Sequence, residues 1–538
     1  MKKKSGAAAR ILLYDTTLRD GTQGEGMSLS VEDKVRIART ADRLGVSYIE
    51  GGWPGSNPKD EEFFARARSL GLKNAKLSAF SSTRRRDKKA HEDPFLAAIL
   101  RVKTPVACIF GKSWDFHVIH ALHATPAENL AMISDSVRFL KSKGKEVIYD
   151  AEHFFDGFRA NPSYALATLK AALESGADNL TLCDTNGGSL PHQVGEIVLA
   201  VRDAFPDASL GIHTHNDSGC AVANSLEAVR RGCVLVQGTL NGVGERCGNA
   251  DLVSIIPGLR FKLGKACVSD DQMRFLTEAS RYMYETANLV PQDHQPYVGM
   301  SAFAHKGGIH VSAVQRHSAT YEHLDPGSVG NKRRVLVSEL AGKSNILAKG
   351  KEFHLDLHKH PEGVDRVIRR VKDMENRGYQ FEGADASFVL LVERELRPYK
   401  PFFDLKAFRV IVEEDREKDG LTAEATLKVA VEGRAEHTVA EGNGPVDALD
   451  KALRLALSPF YPCVKDLTLA DFKVRVVNAA AGTDAKVRVL VETRDHKESW
   501  GTVGVSENII EASWLALKDA VEYKLLSEKL RRFPRRGA

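Results

Sequence analysis

Two histidines stand one residue apart in "GIHTHND", Gly211–Asp217. In an extended segment, residues two apart project to one face, so His213 and His215 present their imidazoles together. Two neutral imidazoles suit a divalent cation; the alternative is a pair of surface or hydrogen-bonded histidines. Asp20, in "LYDTTLRDGTQGEG" (Leu13–Gly26), offers a carboxylate, and Asn249, in "NGVGERCGNADL" (Asn241–Leu252), offers an amide oxygen. Such a set, with positions left open, fits Mg2+, Mn2+, Co2+ or Zn2+ in a working site better than a thiolate-rich structural zinc site. Cys247 beside it reads as a packing residue.

A cation with open positions acts as a Lewis acid on a carbonyl. Arg19, next to Asp20, pairs with a carboxylate through its planar fork. Together they describe a site for an α-keto acid. Thr185, in "CDTNGG", could donate to the acid's carboxylate. Glu152, in "YDAEHFFDG", could orient the acid or handle a proton, or be a buried carboxylate tied to its surroundings. In "HKGGIH", His305–His310, a histidine could polarise a thioester carbonyl or move a proton; for His305 an ordinary loop histidine is the better reading. "STRRRDKK", Ser82–Lys89, could meet phosphates or be a solvated charge run.

These residues need a frame. Eight β-rich runs alternate with amphipathic helical stretches over residues 11–250: "ILLYDT", "YIEGGW", "AKLSAF", "VACIFG", "EVIYDAEH", "NLTLCDT", "SLGIHTH" and "VLVQGTLN". Parallel strands require crossover helices. Eight such units predict an α/β fold of the (β/α)8 TIM-barrel kind, with a doubly wound open sheet as the alternative. In "TPAENLAMISDSVRFLKSKG", Thr125 is the expected N-cap, Pro126 fits N1 and Gly144 fits the stop. Polar residues gather where the strands end: Arg19, Asp20, Glu50, Ser81, Ser82, Glu152, His153, Asp184, Thr185, His213, His215, Asn241 and Glu245. A barrel builds its active site on that face. Closure would leave only strand 8 between strands 1 and 7.

At 538 residues the chain is too long for one core. We expect a catalytic barrel over 1–275, mostly helical linker subdomains over 276–398 that contribute to the active site, and an α+β regulatory or dimerising domain over 399–538. The last contains a repeat: Phe408 matches Phe472, Thr438 matches Thr502 and Ala448 matches Ala512, all at an offset of 64. Each copy reads as three strands and a helix, the two helices burying their apolar faces on a shared sheet. The net charge of +5 argues against a dedicated nucleic-acid binder. Seven cysteines without a C-x-x-C pair predict reduced thiols and a cytoplasmic protein. The basic start has too short an apolar part for a signal segment, and no apolar run of about 18 residues predicts a membrane span.

The stretches "DTTLRDGTQ", "HTHND", "NGVGERCGNADL" and "FAHKGGIHVSA" together resemble the alpha-isopropylmalate synthase / homocitrate synthase family, the acyl-CoA-dependent Claisen enzymes of the metal-dependent Asp-Arg-Glu TIM-barrel group. "GTVGVSENIIEASWLALKDAV" resembles that family's allosteric and dimerisation domain, and the resemblance runs over nearly the whole chain. "YIEGGWPGSNPKDEEFF" and "IFGKSWDFHV" are most similar to the members that use pyruvate. The resemblance implies condensation of acetyl-CoA with pyruvate and water to (R)-citramalate and CoA, on a pyruvate-based route to isoleucine. It implies that Asp20, His213, His215 and Asn249 hold the metal and that Arg19 binds pyruvate and steadies the enolate. Glu152 would be catalytic, and Thr185 would hold the pyruvate carboxylate. His310 would assist proton transfer, often from the partner of a homodimer, with Tyr321 near it as a substrate-binding residue. Isoleucine would be the effector. Several members carry Asp two residues after the second histidine; Ser312 stands here, so no relay through that position carries over. The alternatives are 2-oxoisovalerate as acceptor in leucine biosynthesis, a homocitrate synthase, a 3-hydroxy-acyl-CoA lyase, and a non-catalytic amino-acid sensor.

Overall fold

The computed structural model describes residues 10–337, 342–353, 355, 357, 361–415, 420–477 and 485–532, so the basic start lies outside the described residues. Strands β1 (Leu12–Asp15), β2 (Tyr48–Glu50), β3 (Lys76–Ser82), β4 (Val106–Lys112), β5 (Glu146–Glu152), β6 (Asn179–Asp184), β7 (Leu210–Thr214) and β8 (Leu235–Gly238) close a barrel in sequence order. Every expected strand is present. β8 pairs in parallel with β1, Leu12 opposite Leu235 and Asp15 opposite Gly238, which rules out the open sheet.

The helices follow their caps. Ser30 and Thr125 each form a capping box, with Asp33 and Glu128, at the starts of Val31–Leu44 and Pro126–Ser142. Gly45 and Gly144 take left-handed backbone just beyond those helices. Ile37, Ala41 and Leu44 on the first, and Ile133, Val137 and Leu140 on the second, are fully buried, the apolar stripe of an amphipathic helix. Strand alternation divides the core. Leu13, Ile49, Ala79 and Val236 pack with the helices, while Tyr14, Tyr48, Phe80, Cys108, Ile148 and Leu235 form a second cluster within the ring.

The chain divides into two compact units, Met1–Phe303 with Leu324–Lys332, and Ala304–His323 with Arg333–Ala538. In the second, β9 (Ala304–His305) pairs in parallel with β10 (Arg334–Val335). The helices Gly308–Arg316, Lys343–Glu352, Pro361–Asn376 and Asp385–Leu396 also belong to this unit. Beyond the proline-bearing connection come two antiparallel three-stranded sheets. They are β11 (Phe403–Asp415), β12 (Gly420–Val431) and β13 (Arg434–Gly442), then β14 (Thr468–Val476), β15 (Val487–Arg494) and β16 (Ser499–Ser506).

The repeat holds to atomic detail. Thr438 Oγ1 donates to Ala452 O at 2.9 Å, and Thr502 Oγ1 donates to Ala516 O at 2.9 Å. The shared sheet is corrected: each helix, Pro445–Leu457 and Ile509–Arg532, packs on its own sheet. One helix already covers a three-stranded face. Union comes instead through side chains, with Leu427, Leu453, Trp514 and Val521 in one core. The seven cysteines are unpaired. Among the described residues, no helix is long and apolar enough to cross a membrane.

Candidate active site

The ends of β1, β7 and β8 build the centre of the site. After Asp15 the chain turns sharply, with Arg19 N and Gly21 N both donating to Thr16 O at 3.1 Å. Leu240 N donates to Thr17 Oγ1 at 2.9 Å, joining this turn to the exit of β8. His213 lies in β7 and His215 one residue past it. Their ring centroids are 5.1 Å apart and their Nε2 atoms 3.3 Å apart. Asp20 Oδ2 lies 3.4 Å from His213 Nε2 and 3.9 Å from His215 Nε2.

Asn249 reaches the same place through an isolated bridge to His215. Its Nδ2 donates to Val243 O at 3.3 Å. The loop demands glycine: at Gly248, φ is +86° and a Cβ would lie 2.0 Å from Gly242 O.

Burial sets the charges. It pushes His213 down to about 3 and lowers His215 as well, so both imidazoles are neutral and ready to ligate. Burial alone would raise Asp20, but the positive charge of the adjacent Arg19 guanidinium outweighs it and holds Asp20 at about 2. Asp20 Oδ1 and Asn249 Oδ1 are buried and accept no hydrogen bond. Orphaned acceptors are rare in a folded interior. Their presence beside a carboxylate and two neutral imidazoles, with one ligand atom from each of Asp20, His213 and His215 within 4.8 Å of the others, fits a divalent cation.

Arg19 does more than the sequence suggests. Its Nη1 touches Asp20 Oδ2 at 3.1 Å, so the two neighbours are not independent, as their expected separate duties imply. Its Nε donates to Glu50 Oε2 at 2.6 Å, and its Cζ lies 3.7 Å over the Phe80 ring. Glu50 is fully buried and also accepts from Tyr14 Oη at 2.7 Å. Burial still raises Glu50 against the pull of Arg19.

Thr185 Oγ1 accepts from His153 N at 2.8 Å, which leaves its own hydrogen to donate. Glu152 pairs with Lys112. A cavity of about 210 Å³ brings Arg19, Asp20, Glu152, Thr185, His213 and His215 onto one surface, walled by Trp53, Phe80 and Phe110. Trp53 meets Phe80 and Phe110 edge-on, with centroids 5.6 and 5.7 Å away.

Two polar strand-end residues turn elsewhere. Asp184 accepts from Ser189 N and Oγ, and Asn241 exchanges hydrogen bonds with Ser280. Arg84 of the basic loop is tied to Asp135 and to three carbonyls of its own loop, and Arg86 to Glu128 and His123 O. His310 and Tyr321 belong to the second unit, where their rings stack at 4.2 Å. His305 is anchored by Glu322, its Nε2 at 3.1 Å from Oε1.

Sequence patterns missed the aromatic wall, Lys112, and the buried pair Asp150 and Gln237. The last two carry a signal in hindsight, since each is a polar residue in mid-strand with its side chain turned into the barrel.

His213 also makes the metal-free chain acid-sensitive. Its folded value of about 3 lies below the ordinary 6.5, so its contribution to stability is present above 6.5 and is lost as pH falls toward 3. Asp15 and Asp150, pushed up by burial to about 6 and about 7, act with the opposite sign. The expected result is therefore a difference. Lowering pH from about 7.5 to about 5.5 lowers Tm more in the metal-free wild type than in His213→Gln. Equal slopes would remove His213 from the balance.

The HMGL-like family matches residues 10–275, the homocitrate synthase post-HMGL domain-like family 297–379, and the LeuA allosteric (dimerisation) domain 382–525. An (R)-citramalate synthase of Geobacter sulfurreducens is 56% identical, over 96% of this chain and 97% of its own. One from Aquifex aeolicus is 53% identical, over 97% and 99%. A 2-isopropylmalate synthase of Synechocystis sp. is 31% identical, over 98% of both chains.

Proposed function

The chain belongs to the family of the (R)-citramalate and 2-isopropylmalate synthases, and on that premise we propose that it condenses acetyl-CoA with pyruvate and water to (R)-citramalate and CoA. The observation that carries the choice of pyruvate is the identity margin, far greater toward the citramalate synthases than toward the 2-isopropylmalate synthase. The close aromatic wall agrees with a small acceptor.

Asp20, His213, His215 and Asn249 would hold a divalent cation, with Mn2+, Mg2+, Co2+ and Zn2+ as candidates. When bound, the cation polarises the keto carbonyl. Arg19, oriented by Glu50, turns its remaining N–H groups to the oxygens of pyruvate and of the developing enolate. Thr185 donates its hydroxyl hydrogen to the pyruvate carboxylate. The methyl group of acetyl-CoA gives up a proton and its carbon bonds to C2 of pyruvate. The former keto oxygen takes up a proton, and water then cleaves the thioester to release CoA. Glu152, held by Lys112, and His310, stacked on Tyr321, are the groups assigned to proton transfer. His310 acts from the partner copy of a homodimer, in keeping with the match to a dimerisation domain. We assign isoleucine as effector of the two repeats and the cytoplasm as the place of action.

A panel of keto acids, scored by release of the CoA thiol with a divalent metal present, tests this. Pyruvate should be preferred by about tenfold or more; the same margin for 2-oxoisovalerate would overturn it. The assay repeated with isoleucine should show inhibition. An unchanged rate would remove the effector assignment.

A further inference from the structure

Gln237 lies in β8 with its side chain inside the barrel and no exposure. Its Oε1 is 2.9 Å from His213 Nδ1. Its Nε2 donates to Asp150 Oδ1 at 2.8 Å and lies 3.4 Å from Thr181 Oγ1. A side-chain amide has one accepting end and one donating end. With Asp150 ionised, above the value of about 7 to which burial pushes it, the amide turned over would set its oxygen against that carboxylate, acceptor against acceptor. Asp150 therefore orients the amide, and the amide orients the imidazole. With Oε1 facing Nδ1, that nitrogen carries the hydrogen. The Nε2 lone pair is left toward Asp20 and His215.

We propose that Gln237 is a positioning residue that commits His213 to the Nδ1–H tautomer able to ligate a cation, and that Asp150 holds Gln237 to that task. The inference rests on the metal reading of the site. It singles out one of the two histidines, because His215 Nδ1 is buried without a partner. The plain alternative is that Gln237 only satisfies buried polar groups across the barrel. That alternative predicts an effect on folding stability and none on the imidazole.

The test uses full-length protein stripped by a chelator, at a pH above the Asp150 value of about 7. Free Mn2+ is followed by electron paramagnetic resonance during titration. Tm is measured without metal, and the His213 ring nitrogens are read by 15N NMR, assigned by their loss in His213→Gln. The wild type should bind Mn2+ and show a protonated Nδ1. Gln237→Met, similar in size but without the amide, should weaken Mn2+ binding about 10- to 100-fold and lose the Nδ1–H signature. Thr181→Val, which removes a neighbouring hydroxyl, should keep both. An Nε2–H tautomer in the wild type, or undiminished Mn2+ affinity in Gln237→Met, overturns the proposal. If Gln237→Met does not fold, the wild-type spectrum alone still decides. Absence of Mn2+ binding by the wild type would instead overturn the metal reading, and the tautomer would still be read.

Discussion

Asp20→Asn is expected to fold, to lose its divalent cation, and to form citramalate about a thousandfold more slowly or worse. The substitution keeps the side chain's shape. It removes the only carboxylate among the four proposed ligands and leaves two neutral imidazoles and two amides. A cation that polarises a carbonyl contributes several kcal/mol to the transition state, and about 4 kcal/mol is about a thousandfold in rate. Arg19 keeps its buried partner Glu50, so the fold has no new unpaired charge to accommodate. Metal content after dialysis and the steady-state rate check the two halves separately. Undiminished activity would refute the metal assignment. A metal-loaded but inactive variant would point instead to a direct role of the carboxylate.

Arg19→Gln should damage both rate and stability. Arg19 spans two carboxylates, Glu50 through Nε and Asp20 through Nη1. Glu50 has no exposure. Removing one partner of a buried pair strands the other, at a cost of about 3–5 kcal/mol, and Glu50 would answer by taking up a proton. Adding Glu50→Gln to the same chain should therefore restore much of the lost Tm but none of the lost rate. Restoration of both would mean that Arg19 acts only as a structural cation. Arg19→Lys is expected to resemble Arg19→Gln in rate, since an ammonium group cannot reproduce the fork.

The barrel was legible because its physics is local and periodic. Each strand is a short apolar run, and caps such as Thr125 with Glu128 mark where helices begin. The meeting of His213 and His215 was legible because they share a face by simple alternation. What sequence could not reveal depends on pairings across the ring. Nothing near Gln237 in the chain indicates Asp150, 87 positions away. Nothing near Glu152 marks Lys112 as its partner, because that pairing is set by the β4–β5 register. The two separate C-terminal sheets were missed for the same reason. Repetition of a motif shows that units are alike, but not whether their edges join.

The hydrogen bond from Leu240 N to Thr17 Oγ1 marks the seam where the first strand meets the last. The site lies across that seam, and Asp20 stands 193 positions before His213. A growing or partly folded chain therefore has no complete ligand set until the ring has closed, and closing so long a loop carries an entropic penalty. A cation that binds only the closed ring stabilises it by mass action. Such a cation would act as a clasp on the barrel as well as a reagent within it.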